Sequence, residues 1–244
     1  MSGCSSEKNS IISIYTELAK NPDRDFGWEK GIDNARRHGY KKEWLETIPD
    51  EVWKYCAAVG NPFSIAEIPA GATVLDIGCG AGIDLCVASL IVGKKGNVFG
   101  VDITPAMVEL ARKNARLAGL DNIRVFEASG EKIPLDDSSV DVVISNGAIN
   151  LSSSKKCLFA EIYRVLKTGG KLIFADMTRV AGKTAVSESC GQESWADCVA
   201  GTVSSEELIS IMLSAGLTEA GQTGTTHYKT SDSTLGALFR AVKG

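Results

Sequence analysis

The chain has 244 residues, with 26 Lys and Arg set against 30 Asp and Glu for a formal net charge of -4, and 44% of its residues are hydrophobic. That share supplies a full core, and the acidic balance lacks the basic footprint of a nucleic-acid binder. No run of about 18 apolar residues crosses a membrane, and no apolar h-region occupies residues 1–10, so a soluble cytoplasmic protein is expected.

Residues 1–70 are polar, carry three of the four tryptophans (Trp28, Trp44, Trp53) and show weak helical periodicity. They read as an N-terminal helical cap. From residue 73 the texture becomes an alternation of buried strands and helices. Val74-Leu75-Asp76-Ile77 is a short apolar strand ending at Gly78, and a helix is predicted over 83–92, stopped by Gly93. Residues 98–101 form a second strand ending at Asp102. Thr104 then reads as an N-cap, Pro105 as the first helical residue and Gly119 as the stop. Strands follow at 123–126 and 140–144, the latter nearly all apolar, as in a doubly covered parallel sheet. A helix over 155–166 is expected to close at Gly169-Gly170, before a strand at 172–175. An irregular segment runs to residue 203. Ser204 through Glu207 reads as a capping box, with Val203 and Leu208 as its staple, on a helix that stops at Gly216. Residues 235–242 read as a closing strand.

Strand–helix alternation predicts an α/β fold, a Rossmann-like doubly wound and mostly parallel sheet, with an N-terminal cap and a C-terminal extension. The expected division is a cap at 1–70, a cofactor-binding core at 71–180 and a substrate-side extension at 181–244. Ligands in such sheets bind at the carboxyl edge of the strands, so Gly78, Asp102, the segment after Phe126 and Asn146 carry most interest.

The chain has seven cysteines, Cys4, Cys56, Cys79, Cys86, Cys157, Cys190 and Cys198. The number is odd and no C-x-x-C pair occurs, so neither a disulfide framework nor a zinc site is expected. Cys79, Cys86 and Cys157, inside strand or helix patterns, read as small buried apolar residues. The roles of Cys56, Cys190 and Cys198 stay open. His38 and His227 sit in no motif and read as surface or packing residues.

Asp76 is followed by glycines at 78, 80 and 82. A dinucleotide fingerprint would need glycine at 83, which is Ile83, and no Walker lysine follows. This spacing suits a cofactor without a pyrophosphate, and disfavours a hydride-transferring dehydrogenase. Asp102, closing the second strand, suits the hydroxyls of a ribose.

Val74 through Gly82, Gly100 through Thr104 and Val165 through Gly170 resemble the signature segments of class I methyltransferases. The resemblance implies S-adenosylmethionine at Asp76, Gly78, Gly80 and Gly82, with Asp102 on the ribose and Ile103 among the cofactor-binding residues. It places Ser129, Gly130 and Glu131 beside the adenine, and Asn146 near the methionine end. Gly60-Asn61-Pro62, Ile68 through Thr73, Ser145 through Ser152 and Cys198 through Gly201 further resemble the arsenite methyltransferase branch. That branch carries cysteine at the positions of Val59 and Gly147; only Cys198 sits where a family cysteine does. Cys56, three residues before Val59, and Cys190, eight before Cys198, could bring thiolates into the same space, and since soft arsenic prefers thiolates the first expectation is trivalent arsenic on Cys56, Cys190 and Cys198 as the catalytic thiols. Arsenic needs no general base, because its nucleophilic atom carries no proton. The implied partners are a small-molecule or metalloid acceptor and a thiol reductant such as thioredoxin or glutathione, with no nucleic acid, membrane or resident metal. Two alternatives stand beside this reading: methyl transfer to a small organic acceptor, and a cofactor-binding module without turnover.

Overall fold

The computed structural model describes residues 3–65, 67–180, 201–226 and 228–244, with side chains from residue 8 onward. Seven strands form one sheet in the order β3-β2-β1-β4-β5-β7-β6. They are β1 (Thr73–Ile77), β2 (Asn97–Asp102), β3 (Ile123–Glu127), β4 (Val140–Asn146), β5 (Leu166–Arg179), β6 (Leu217–Thr225) and β7 (Thr234–Lys243). β1 to β5 are parallel, and β7 runs antiparallel between β5 and β6. The expected mostly parallel, doubly wound sheet is therefore present.

Alternation along the central strands sorts side chains to two faces. Leu75, Val143, Leu172 and Phe174 pack under α7 (Lys155–Val165) and α8 (Ser205–Ser214), where Phe174 stacks on Phe239 with ring centroids 4.9 Å apart. Val74, Val98, Ile144 and Ile173 pack under α5 (Ile83–Val92) and α6 (Pro105–Leu117). The preceding helices are α1 (Gly3–Lys20), α2 (Ile32–Arg37), α3 (Lys42–Thr47) and α4 (Asp50–Trp53). Their apolar residues, including Leu18, Tyr40, Trp44 and Trp53, join one cluster with Ile83, Val87, Met107 and Leu110. The cap residues thus complete their core against α5 and α6.

Several expectations change. Gly169-Gly170 does not close α7. The helix ends at Val165 and β5 begins at once, so the two glycines lie inside the strand. There Val140 pairs with Leu166 but Val142 pairs with Lys171, and the excess residues bulge out through Gly169 at φ +77°. A left-handed φ of that size suits glycine. Thr104 precedes α6 in extended backbone, but its side chain caps nothing; its amide instead serves Asp102. Ser204 does cap α8, accepting from the Glu207 amide at 3.2 Å. Cys157 is exposed, whereas Cys79 and Cys86 are buried. β6 was not foreseen. It is a Thr-, Gly- and Glu-containing edge strand with two register shifts and no clean alternation of burial.

Candidate functional site

The strand order reverses between β1 and β4, and a cavity of about 810 Å³ opens there at their carboxyl ends. β1 delivers its chain into the glycine turn. Gly78 has φ +69°, and a Cβ there would lie 2.2 Å from the Cβ of Ala148, so the crossing of the two loops admits only glycine. Gly80 has φ +49°, and a Cβ there would meet nothing within 4 Å. Gly82 ends the turn in left-handed conformation, directly before α5.

Asp102 closes β2 and pins this turn. One carboxylate oxygen accepts from the Gly80 amide at 2.9 Å and the other from the Thr104 amide at 2.8 Å. Lone pairs remain on both oxygens for a ligand. Burial raises the Asp102 carboxyl despite these two amides. Asp76 is buried beneath the turn and is held far above the usual carboxylate range, first by desolvation and then by the charges of Asp84 and Asp102.

Sequence reasoning missed Asp84, although an acid inside the apolar helix Ile83–Val92 was its signal. Asp84 accepts from the Tyr40 hydroxyl at 2.7 Å and from the Asn146 Nδ2 at 3.0 Å. Burial still leaves its carboxyl raised. Asn146, the last residue of β4, spans from sheet to cap. Its Oδ1 accepts from the amides of Val59 (2.9 Å) and Gly60 (3.4 Å), and its Nδ2 also donates to the Gly60 carbonyl at 2.9 Å. The Asn146 side chain is a strut that fixes the cap loop over the sheet edge.

Ile103, Ser129, Gly130 and Glu131 line the same cavity. Glu131 accepts from Ser152 (2.7 Å), Ser153 (3.0 Å) and the Ser154 amide (3.0 Å), and Lys8 of α1 approaches it at 3.4 Å. Desolvation acts to raise this carboxyl, but those donors and Lys8 hold it below its ordinary value. Aromatic residues of the N-terminal segment, Tyr15, Phe26, Trp28 and Tyr55, also line the cavity, as does Tyr228 beyond β6.

Cys56 is buried in the cavity wall, its Sγ 3.5 Å from the Asn34 Oδ1. Desolvation, then the charge of Asp84, pushes its thiol well up. Cys190 and Cys198 lie outside the described residues, as does His227. Among the described residues no group of three or more His, Cys, Asp or Glu side chains is placed to hold a metal ion, and no helix is long and apolar enough to cross a membrane. Val59 and Gly147 are neighbours: a Cβ on Gly147 would lie 3.0 Å from the Val59 Cγ2. His38, read from sequence as a surface or packing residue, lines the cavity, and no sequence motif marked it.

A profile of the methyltransferase domain family matches residues 68–216. The chain belongs to that family. The arsenite methyltransferase of Halobacterium salinarum is 34% identical over 188 residues, 77% of this chain and 48% of that protein. The ubiquinone/menaquinone biosynthesis C-methyltransferase of Blochmanniella floridana is 39% identical over 116 residues, 46% of this chain and 45% of that one. The chain therefore spans about half the length of these curated relatives. Among solved structures, the arsenic(III) S-adenosylmethionine methyltransferase of Chlamydomonas reinhardtii superposes with a TM-score of 0.60 at 28% identity, covering 88% of this chain and 74% of that one.

S-adenosylmethionine is the cofactor of this class I methyltransferase fold. The residues present fit it. The side-chain-free wall at Gly80 leaves room for close approach, and three carboxylates raised by desolvation, Asp76 further by the charges of Asp84 and Asp102, favour a cationic ligand.

Proposed function

We propose that the protein transfers a methyl group from S-adenosylmethionine to a small acceptor seated between the cap and the carboxyl edge of the sheet, and that this acceptor is trivalent arsenic held by Cys56, Cys190 and Cys198. The observation that carries the reading is the burial of Cys56 in the cavity wall, on a chain similar to arsenite methyltransferases. When bound, S-adenosylmethionine supplies an electrophilic methyl on a sulfonium. Asp102 would hold the ribose hydroxyls, Ser129 through Glu131 the adenine end, and Asp84 with Asp76 the positive charge. Cys56 is held as a thiol by its surroundings. Its S–As bond would form as a hydroxyl or thiol departs from arsenic with the cysteine proton. The arsenic lone pair then needs no base, and the chain contributes alignment and exclusion of water.

One observation favours a second reading, a small organic acceptor. Val59 and Gly147, where the arsenite methyltransferases carry cysteines, meet at one spot of the cavity. Val59 there packs with Met177, Leu151 and Tyr228, so that spot is apolar rather than thiol-lined.

The deciding assay supplies arsenite, glutathione and S-adenosylmethionine and measures methylated arsenic. The arsenic reading expects product from the wild type and none from Cys56→Ser, Cys190→Ser or Cys198→Ser, each with cofactor binding intact. Activity untouched by all three replacements would overturn it.

A further inference from the structure

Asp84 is 7% exposed and lines the cavity. None of the ion pairs among the described residues includes Asp84, Asp76 or Asp102. The titratable groups facing Asp84 are Asp76 of β1, Tyr40 and Cys56 of the cap and Cys86 of its own helix, and none of these is a cation. A buried carboxylate so placed keeps its charge through hydrogen bonds and dipoles. One dipole is at hand: Asp84 lies in the first turn of α5, where the helix favours negative charge.

The hydrogen bonds leave an added proton no good place. The Val59 amide can only donate, so Asn146 turns its Oδ1 toward that amide at 2.9 Å and its Nδ2 toward the Asp84 Oδ2 at 3.0 Å. An amide nitrogen does not accept, so a proton on Oδ2 would face another donor. The Asp84 Oδ1 faces the Tyr40 hydroxyl at 2.7 Å. That hydroxyl accepts from the Asn146 Nδ2 at 3.1 Å, and its single proton has two acceptors within reach, Asp84 and the Gly60 carbonyl at 3.5 Å. A proton on Oδ1 would drive the tyrosine proton onto the longer contact. The shorter one has the length of a charge-assisted bond to an ionised oxygen. Asn146 thus opposes protonation of one oxygen and Tyr40 that of the other. Burial pushes the Asp84 carboxyl up, and these two donors pull it back.

Tyr40 is held by its ring as well as by its hydroxyl. The residue is 4% exposed, and its ring meets Trp53, Trp44 and Phe63 edge-on, with centroids 5.8, 6.3 and 6.4 Å away. Removing the oxygen alone leaves that aromatic cluster in place.

We propose that Tyr40 is a positioning residue for the methyl donor: its hydroxyl, by donating to Asp84, keeps that carboxylate charged at the cavity wall, and so sets how strongly the site favours the sulfonium of S-adenosylmethionine over the uncharged sulfur of S-adenosylhomocysteine. This rests on the assignment of the sulfonium charge to Asp84 and is independent of which acceptor is methylated. It gives the cap, through one side chain of its buried aromatic cluster, a part in telling donor from spent product.

The test is calorimetric titration of the whole protein with S-adenosylmethionine and with S-adenosylhomocysteine, from about pH 5 to pH 8, without acceptor. Wild type is compared with Tyr40→Phe and Asp84→Asn, and the quantity read is the ratio of the two dissociation constants. Loss of the Tyr40 donor lets the Asp84 carboxyl rise further, so its charge is complete only at higher pH. In Tyr40→Phe the dissociation constant for S-adenosylmethionine should therefore rise roughly tenfold at the acidic end, as for loss of one hydrogen bond to a charged group. The value should return toward wild type as pH climbs, while that for S-adenosylhomocysteine changes less than about twofold. Asp84→Asn should shift the ratio the same way and remove its pH dependence. Equal weakening of both ligands in Tyr40→Phe, with the wild-type pH profile, would make the hydroxyl merely structural and overturn the proposal. A shifted ratio in Asp84→Asn with a wild-type ratio in Tyr40→Phe would overturn the role of Tyr40 alone. A wild-type ratio in Asp84→Asn would overturn the assignment of the sulfonium to Asp84, and the proposal with it.

Discussion

Replacing Asn146 separates the strut from the rest of the site. Asn146→Ala removes the partner of the Val59 amide, a donor to the Gly60 carbonyl and a donor to Asp84. Leaving a buried polar group unmatched costs about 1–3 kcal/mol, and some of these groups keep secondary partners, so a loss of about 2–4 kcal/mol is expected. For a chain of this length that lowers Tm by roughly 5–15 °C. Asn146→Asp is isosteric and more informative. It keeps the acceptor for the Val59 amide but puts a carboxylate oxygen at the Nδ2 position, 3.0 Å from the Asp84 Oδ2. Two ionised carboxylates cannot share that space, so the new acid would have a raised folded-state pKa. A raised acid leaves stability intact at low pH and takes it away as pH climbs from the unfolded value through the folded one. Urea denaturation at pH 5 and pH 8 should therefore find Asn146→Asp losing stability over wild type as pH rises, while Asn146→Ala loses a nearly constant amount. An aspartate variant with the wild-type pH slope would refute the strut.

Asp176 gives a pH dependence of the same sign in the native protein. It is fully buried, accepts from Asn150 and the Met177 amide, and desolvation pushes its carboxyl up to about 6 from 3.8. Its contribution is complete below pH 4 and falls by about 3 kcal/mol on rising through pH 6. The difference in urea stability between wild type and Asp176→Asn across pH 4–7 should carry that slope; a flat difference would count against it. In the glycine turn, Gly78→Ala combines left-handed φ with a 2.2 Å collision against Ala148. It should cost more than about 3 kcal/mol or prevent folding. Gly80→Ala, strained but unobstructed, should cost about 1–2 kcal/mol yet weaken cofactor affinity measurably, since its methyl enters open space beside the ligand. Equal melting losses for the two variants would contradict this.

The parallel sheet was legible because buried strands announce themselves: Val74-Leu75 and Val140 through Ile144 have no polar alternation to confuse. Local signals also marked the Gly78–Gly82 turn and Asp102 at their true places. The misses have physical causes. Gly169-Gly170 resembled a helix stop, but tertiary pairing with β4 turned it into a bulge. β6 takes its pairing from β7, and its own residues carry little strand pattern. The site was half legible. Asp76, Gly78, Gly80, Asp102 and Asn146 stand at strand ends, where a motif can find them. Tyr40, His38 and Trp28 reach the cavity from a cap whose path depends on long-range packing, as with Tyr40 on Asp84, 44 residues away. No spacing rule encodes that distance.

The carboxylates under the glycine turn make one more consequence unavoidable. Asp76 and Asp84 are raised by desolvation, and Asp76 further by its acidic neighbours. A positive charge placed beside them acts in the opposite direction and lowers both. Over the pH range in which these acids titrate, binding of S-adenosylmethionine should then release protons, whereas S-adenosylhomocysteine, which lacks the sulfonium charge, should release fewer. Calorimetric titrations in two buffers of different ionisation enthalpy count the protons directly. Asp84→Asn should reduce the count for the sulfonium ligand and narrow the gap between the two. The same number released by both ligands, or proton uptake, would mean that the acids do not face the sulfonium. The positive charge would then have to be balanced elsewhere on the sheet edge, and the assignment of Asp84 and Asp76 to it would fall.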